Sequence, residues 1–263
     1  MSTQSNHTFH LVNYSPWPLT RALGTIIFIL RIIKWFKEFN FNYLIIIGFL
    51  IIIISIIQWW RDISRERTFQ GLHTLQVNLN IRWGIILFIT SEIFFFLSFF
   101  WRFFHRRLSP NIELGSIWPP LNIQIFNPFH IPFLNTLILL ISGITVTWSH
   151  QCILENKLNE SIKRLIITIF LGIYFSTIQI YEYIQAPFSI ADSVFGSSFF
   201  VATGFHGLHV LIGTLFLIVC LYRIIKNHFS INHHFGFEAA SWYWHFVDVV
   251  WIFLFTFIYW WNN

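Results

Sequence analysis

The sequence predicts an all-α protein that crosses a membrane several times. Of its 263 residues, 56% are hydrophobic and only 10% are charged, whereas ordinary soluble domains carry about 25% charged residues. The apolar residues also form runs close to the ~20 residues that a helix needs to cross a hydrocarbon core about 30 Å thick. Together these observations exclude a soluble globular protein. The runs lack the alternating pattern of a membrane β-barrel, so helices are predicted.

Seven runs qualify as membrane spans within one predicted membrane domain, 1–263. Helices 1–2 occupy about 16–66 and helices 3–7 about 73–261 of that domain. The first span is the weakest because Arg21 and Arg31 lie inside it. In chain order the predicted spans are 17–36, 43–60, 83–104, 131–153, 165–183, 190–225 and 237–261.

The basic residues predict the orientation. The net charge is +5, but the basic residues stand singly or in pairs between apolar runs, which does not suit nucleic-acid binding. With seven spans, ten Lys and Arg residues fall on the side of the N-terminus and six on the other. The positive-inside rule then makes the N-terminal side the cytoplasm-like side. Two cysteines, Cys152 and Cys220, form neither a disulfide framework nor a metal motif.

Glu92 is the acidic residue that stands out, because it lies in the middle of the third span. An ionised carboxylate there is costly. Two interpretations remain open: an acid that handles protons or contacts lipid, and a hydrogen-bonded acid that joins two helices.

Three histidines and an aspartate lie at similar depth in the last two spans. His206 and His209 share a face of the sixth span, and His245 is followed by Asp248 one turn later in the seventh. Imidazoles ligate metals and haem, so a metal or haem site is one hypothesis. The simpler hypothesis, which we adopt, is an interhelical polar network with no metal.

Two connections carry residues suited to lipid headgroups. After the second span, a Trp pair at 59–60 precedes mixed charges up to Arg67, and arginine grips phosphate while tryptophan favours the headgroup level. A lipid-phosphate site and an ordinary interfacial turn are both open there. The adjacent His233 and His234 point in different directions, which favours headgroup contact or solvation over metal binding.

Segments spread along the chain resemble subunit III of the mitochondrial haem–copper cytochrome c oxidase family. The longest is FFVATGFHGLHV at 199–210. The others are 15–20, 58–62, 68–71, 89–92, 99–101, 113–115, 118–120, 134–136, 232–239 and 242–251.

The resemblance implies a specific architecture and role. It implies seven helices in a V, with helices 1–2 facing helices 3–7 across a lipid-filled cleft, and an N-terminus on the matrix side of the mitochondrial inner membrane. The chain would be a non-catalytic core subunit that stabilises subunits I and II and supports proton uptake and oxygen supply. Haem a and copper would belong to those partners. Small nuclear-encoded subunits would complete the complex, and respiratory supercomplexes would be further partners.

The resemblance also implies functional positions. Glu92 matches the family's membrane-buried carboxylate, and the bound lipids would be phospholipids: cardiolipin, phosphatidylglycerol or phosphatidylethanolamine. The positions resembling lipid contacts are Trp60, Arg65, Glu66, Phe69, His73, Arg223, Lys226, His228 and His233. The chain departs from the family pattern at Leu72, where a histidine is common, and at three arginines that crowd the end of the third span: Arg102, Arg106 and Arg107.

Two other function classes compete with this one. An electron-carrying membrane cytochrome would use His206 or His209 with His245 as haem ligands, and the purified chain would show a Soret band. A proton- or ion-coupled transporter would use Glu92 and Asp248, and the chain alone would support flux in liposomes. The paired broken helices of many transporters are not visible in the sequence.

Overall fold

A computed structural model describes residues 9–38, 43–110, 112, 115–121 and 123–262. Positions 113 and 114 of one family-like segment lie outside these residues. The described residues form helices and connections without a β-strand, apart from one isolated bridge between Ser230 and His233. The helices are α1 (Trp17–Glu38), α2 (Leu44–Thr68), α3 (Leu75–Leu108), α4 (Ile131–Leu154), α5 (Leu158–Ile184), α6 (Ser193–Ile225) and α7 (Phe235–Leu254). A π-helical stretch, Phe255–Trp260, continues α7.

Six of the helices, α2 to α7, are long and apolar enough to cross a membrane, with α7 counted together with its π-helical extension. The prediction of an all-helical, multi-pass membrane protein is therefore confirmed. Helix α1 is not among the six. It is 22 residues long and carries Arg21, Arg31, Lys34 and Lys37, so a seventh span remains a prediction.

The chain divides into an N-terminal unit, Met1–Trp83, and a C-terminal unit, Gly84–Asn263. The boundary falls inside α3. In the N-terminal unit, α1 packs closely on α2 because glycines remove side chains at the crossing: a Cβ at Gly48 would lie 2.9 Å from the backbone nitrogen of Phe28. Polar bonds join the same helices. Ser55 Oγ donates to Thr20 Oγ1 at 3.1 Å.

The C-terminal unit is built around α7, of whose span 56% is buried, against 11% for α3. Bulky side chains of α7 fill the interior, and two of them, Trp244 and Trp251, are fully buried. Their indole N–H groups bond across to α4, because Trp244 donates to Ser142 Oγ at 2.9 Å and Trp251 to Thr136 Oγ1 at 3.0 Å. Without these bonds, the buried indole N–H groups would lack an acceptor and would lower the stability of the fold.

The end of α3 has partners inside the same unit. Arg102 donates to Ser197 Oγ at 3.1 Å. Arg107 donates to the side chain of Asn262, and its guanidinium lies 4.2 Å above the ring centroid of Trp261. Two of the three arginines that depart from the family pattern therefore join α3 to α6 and to the residues after α7.

Candidate buried acid and lipid-contact residues

Glu92 of α3 meets His209 of α6. The distance between Glu92 Oε2 and His209 Nε2 is 2.9 Å, and the two side chains are 22% and 10% exposed, respectively. The other ring nitrogen, Nδ1, lies 2.6 Å from the carbonyl oxygen of Phe205. A carbonyl oxygen only accepts, so Nδ1 carries a hydrogen and donates it. The contact between His209 Nε2 and Glu92 Oε2 is then closed by one proton, which either atom can carry.

Aromatic rings enclose this pair. The ring of His209 lies 5.0 Å from that of Phe96 and 6.3 Å from that of Tyr243, measured between centroids. Apolar surroundings penalise separated charges. The pair therefore holds a single proton on the Glu92–His209 bond and stays neutral overall.

The other residues of the predicted polar network do not join this pair. His206 is buried between the rings of Phe175 and Trp251, with centroids 5.6 and 5.2 Å away. Neither of its ring nitrogens has a hydrogen-bond partner among the described residues. His245 Nδ1 is 3.8 Å from Asp248 Oδ2, within one helix. The structure thus places His209, His206 and the His245–Asp248 pair at three separate sites, and only the version of the haem-ligand hypothesis that uses His209 would require it to give up one of two bonds.

Asp248 packs against the backbone of α4. A Cβ at Gly143 would lie 2.7 Å from Asp248 Oδ2, so only glycine leaves room for the carboxylate there. Its second oxygen, Oδ1, has no hydrogen-bond partner in the part of the chain that the structure describes.

In the N-terminal unit, the predicted lipid positions divide into two kinds. Trp60 and Phe69 are 65% and 70% exposed, as expected of side chains at a headgroup boundary. Glu66 and His73 are instead partly buried with a third residue, His10. Glu66 Oε2 lies 3.2 Å from His10 Nε2, and the rings of His10 and His73 meet edge to face at 5.1 Å. Burial, then the charges of His10 and Arg67, lowers the pKa of His73 to about 4. Arg65, near the C-terminal end of α2, is exposed.

In the C-terminal unit, the predicted lipid positions form a basic group around the α6–α7 connection. The guanidinium of Arg223 lies 4.4 Å from the ring centroid of Phe229. Burial, then the positive charges of Arg223 and Lys226, lowers the pKa of His228. His233 is exposed. A bound anion would counteract the effect of these two cations on the pKa of His228.

The sequence analysis did not identify Glu182, which is fully buried in α5. The Tyr259 hydroxyl lies beside the carboxylate, but the two carboxylate oxygens and the side-chain amides of Gln179 and Asn135 make no well-aligned hydrogen bond among the described residues. Glu182 stands at the end of the predicted fifth span, where an acid is ordinary at the membrane surface. Helix α5 continues to Ile184 and packs Glu182 inward, a fact that hydropathy does not reveal.

Comparison with known proteins decides the family. The sequence model described as "Cytochrome c oxidase subunit III" matches residues 7–263. The chain belongs to the cytochrome c oxidase subunit III family. It is 63% identical to "Cytochrome c oxidase subunit 3" of Aedes aegypti, 62% identical to that of Drosophila melanogaster and 59% identical to that of Locusta migratoria, each over the full length of both chains.

Membership of the cytochrome c oxidase subunit III family confirms the resemblance drawn from the sequence segments. The chain is a subunit of a respiratory oxidase complex. Other subunits of that complex are therefore its partners, and the contacts and roles of particular residues are a separate question.

Proposed function

We propose that this chain is a non-catalytic core subunit of cytochrome c oxidase in the mitochondrial inner membrane. In this proposal, subunits I and II hold haem a and copper and pass electrons from cytochrome c to oxygen. This chain stabilises them and supports their proton uptake and oxygen supply. Full-length similarity to relatives named cytochrome c oxidase subunit 3 supports the proposal.

The membrane arrangement belongs to the same proposal. Helix α1 would be a seventh span, and the N-terminus would face the matrix. The positive-inside count supports this orientation, with ten basic residues on the N-terminal side and six on the other. The V-shaped lipid-filled cleft between helices 1–2 and 3–7 is a prediction of the family resemblance.

The proposed role of Glu92 is to hold a proton within the membrane. Its contact with His209 Nε2 at 2.9 Å allows the shared proton to move along one hydrogen bond without changing the net charge. Adding or removing a proton would place a charge among aromatic rings. The pair is therefore suited to buffering or relaying a proton only when a compensating charge moves nearby.

The proposed role of the basic group is to hold phospholipid headgroups. In the C-terminal unit, Arg223 and Lys226 provide positive charge beside His228. In the N-terminal unit, a separate set of lipid positions has the exposed rings of Trp60 and Phe69 as apolar surface and exposed Arg65 as a phosphate donor. Charged donors for phosphate and aromatic surface for acyl chains are what cardiolipin, phosphatidylglycerol or phosphatidylethanolamine would require.

Selective removal of the chain from the purified complex tests the proposal. Detergent treatment that releases this chain should leave the haem absorption of the remaining complex unchanged. It should lower proton uptake per electron or shorten the active lifetime during turnover. The released chain should show no Soret band, whereas the rival membrane cytochrome would show one. Ion flux through the chain alone in liposomes would favour the rival transporter.

A further inference from the structure

We propose that His150, His234 and Glu238 form a binding site for a divalent transition-metal ion, and that zinc is the ion their chemistry fits best. One ligand atom from each residue lies within 4.8 Å of the others. All three belong to the C-terminal unit, and none is part of the Glu92–His209 pair.

The secondary structure brings the three ligands together. His150 is near the C-terminal end of α4, His234 immediately precedes α7, and Glu238 is in the first turn of α7. His234 and Glu238 are four residues apart, so they share one helix face, and His234 Nε2 lies 3.1 Å from Glu238 Oε1. The ring of His150 lies 5.2 Å from that of His234 and stacks on Phe237 at 5.7 Å.

The orientation of the His234 ring turns a ligand atom toward the other two residues. His234 Nδ1 lies 3.1 Å from the carbonyl oxygen of Ser230, so Nδ1 donates a hydrogen and Nε2 faces Glu238. When the proton between His234 and Glu238 leaves, both groups offer lone pairs to a metal ion. Buried His150 Nε2 has no hydrogen-bond partner among the described residues. A metal ion bound between the three residues would replace the proton of the His234–Glu238 contact and would also give His150 Nε2 a partner.

The ligand set selects the kind of ion. Two imidazoles and one carboxylate are a common set for zinc, with water completing a tetrahedron, whereas calcium and magnesium prefer oxygen ligands alone. The bond from His234 Nδ1 to the Ser230 carbonyl is the outer contact that orients a metal-binding imidazole. With Zn–ligand bonds of about 2.0–2.1 Å, the ligand atoms of a tetrahedron lie about 3.3 Å apart. The His234–Glu238 separation of 3.1 Å already matches that spacing.

A second group of the same composition, His10, Glu66 and His73, lies in the N-terminal unit. Two of its members are lipid positions implied by the family resemblance, so we assign no metal to it. It does set a requirement for the test, because zinc bound there must be distinguished from zinc at His150.

The test measures zinc in the intact oxidase complex. Complexes carrying His150→Gln, His234→Gln or Glu238→Gln are dialysed against chelator-buffered Zn²⁺, and zinc per complex is measured by mass spectrometry. The matched control is His130→Gln, which changes an exposed histidine at the other end of α4. Each cluster variant should bind one zinc fewer than the unchanged complex, the control should lose none, and a double variant should lose no more than a single one. Equal zinc content in all variants would overturn the proposal.

A measurement on the unchanged complex decides the matter even if the variants fail to assemble. Diffraction from crystals equilibrated with Zn²⁺, recorded at the zinc absorption edge, should show an anomalous peak about 2.0–2.1 Å from the two imidazole nitrogens. Zinc peaks elsewhere with none between His150 and His234 would refute the site. Such a result would leave the proposed oxidase function untouched.

Discussion

The packing of Trp244 makes Gly213→Ala a sharp test of the interior of the C-terminal unit. A Cβ at Gly213 would lie 2.9 Å from Trp244 Cε3, and a Cβ at Gly172 would lie 2.7 Å from Trp244 Cη2. The indole is therefore held between α6 and α5, and its bond to Ser142 fixes it further. The indole therefore cannot shift away from a new methyl group without displacing one of these neighbours.

The expected magnitude follows from two opposed effects. Alanine in a helix is favoured over glycine by about 0.5–1 kcal/mol, whereas an added methyl group in a close-packed core costs about 1–3 kcal/mol. The matched control is Gly207→Ala in the same helix, because a Cβ there would meet nothing within 4 Å. The helix preference cancels between the two variants. Gly213→Ala should therefore be less stable than Gly207→Ala by about 1–3 kcal/mol.

Two buried cysteines, Cys152 and Cys220, provide the assay. The complex is heated with a thiol reagent, and modification of each cysteine is measured by peptide mass spectrometry. Cys220 of Gly213→Ala should react at a temperature lower by about 2–4 °C for each kcal/mol lost, the scaling for domains of 150–250 residues. Equal reaction temperatures for the Gly213 and Gly207 variants would show that the indole does not fill this space.

Three further predictions follow from the described contacts. Glu92→Gln should leave the haem spectrum unchanged and cost little stability, because the new amide can donate to His209. Glu92→Ala should cost about 1–3 kcal/mol, because it leaves that histidine nitrogen unpaired. Equal stability of the two variants in the heating assay would contradict this prediction. Trp251→Phe should cost on the order of 1–3 kcal/mol, since Thr136 loses its donor, and an unchanged reaction temperature at Cys152 would count against it. The pKa of His73 is lowered to about 4, so the native state binds fewer protons than the unfolded state and stability should fall as pH drops from about 6.5 to 4. His73→Gln should flatten that pH profile in thermal unfolding, and an unaltered profile would refute the assignment.

Hydropathy predicted the helices well because lipid exposure constrains composition directly. It placed α2 up to residue 60 and the start of α5 at 165, but α2 continues to Thr68 and α5 begins at Leu158. The additional turns are rich in charged residues, and such residues are favourable at the membrane surface. Hydropathy detects only the part of a helix that crosses hydrocarbon, so the helix ends could not be predicted from it.

The functional residues were predictable only where a residue is unusual for its own segment. Glu92 was identified because an acid in mid-span is costly, but its partner could not be chosen among three histidines of similar depth. The pairing of His234 with Glu238, and its approach to His150, depends on how α4 meets α7. Contacts of this kind arise from tertiary packing, which a single sequence does not display.

Buried Glu182 and Gln179 have a consequence for how the protein enters its membrane. Both side chains lie in the last two turns of α5, which ends at Ile184, so the cost of inserting them is below the value of about 2.5–3.5 kcal/mol for an acid at a helix centre. Only three residues, Glu155, Asn156 and Lys157, separate α5 from α4. The two helices can therefore leave the insertion machinery as one hairpin that shelters its own polar groups, and α5 synthesised without α4 should leave Glu182 and Gln179 at the headgroup boundary.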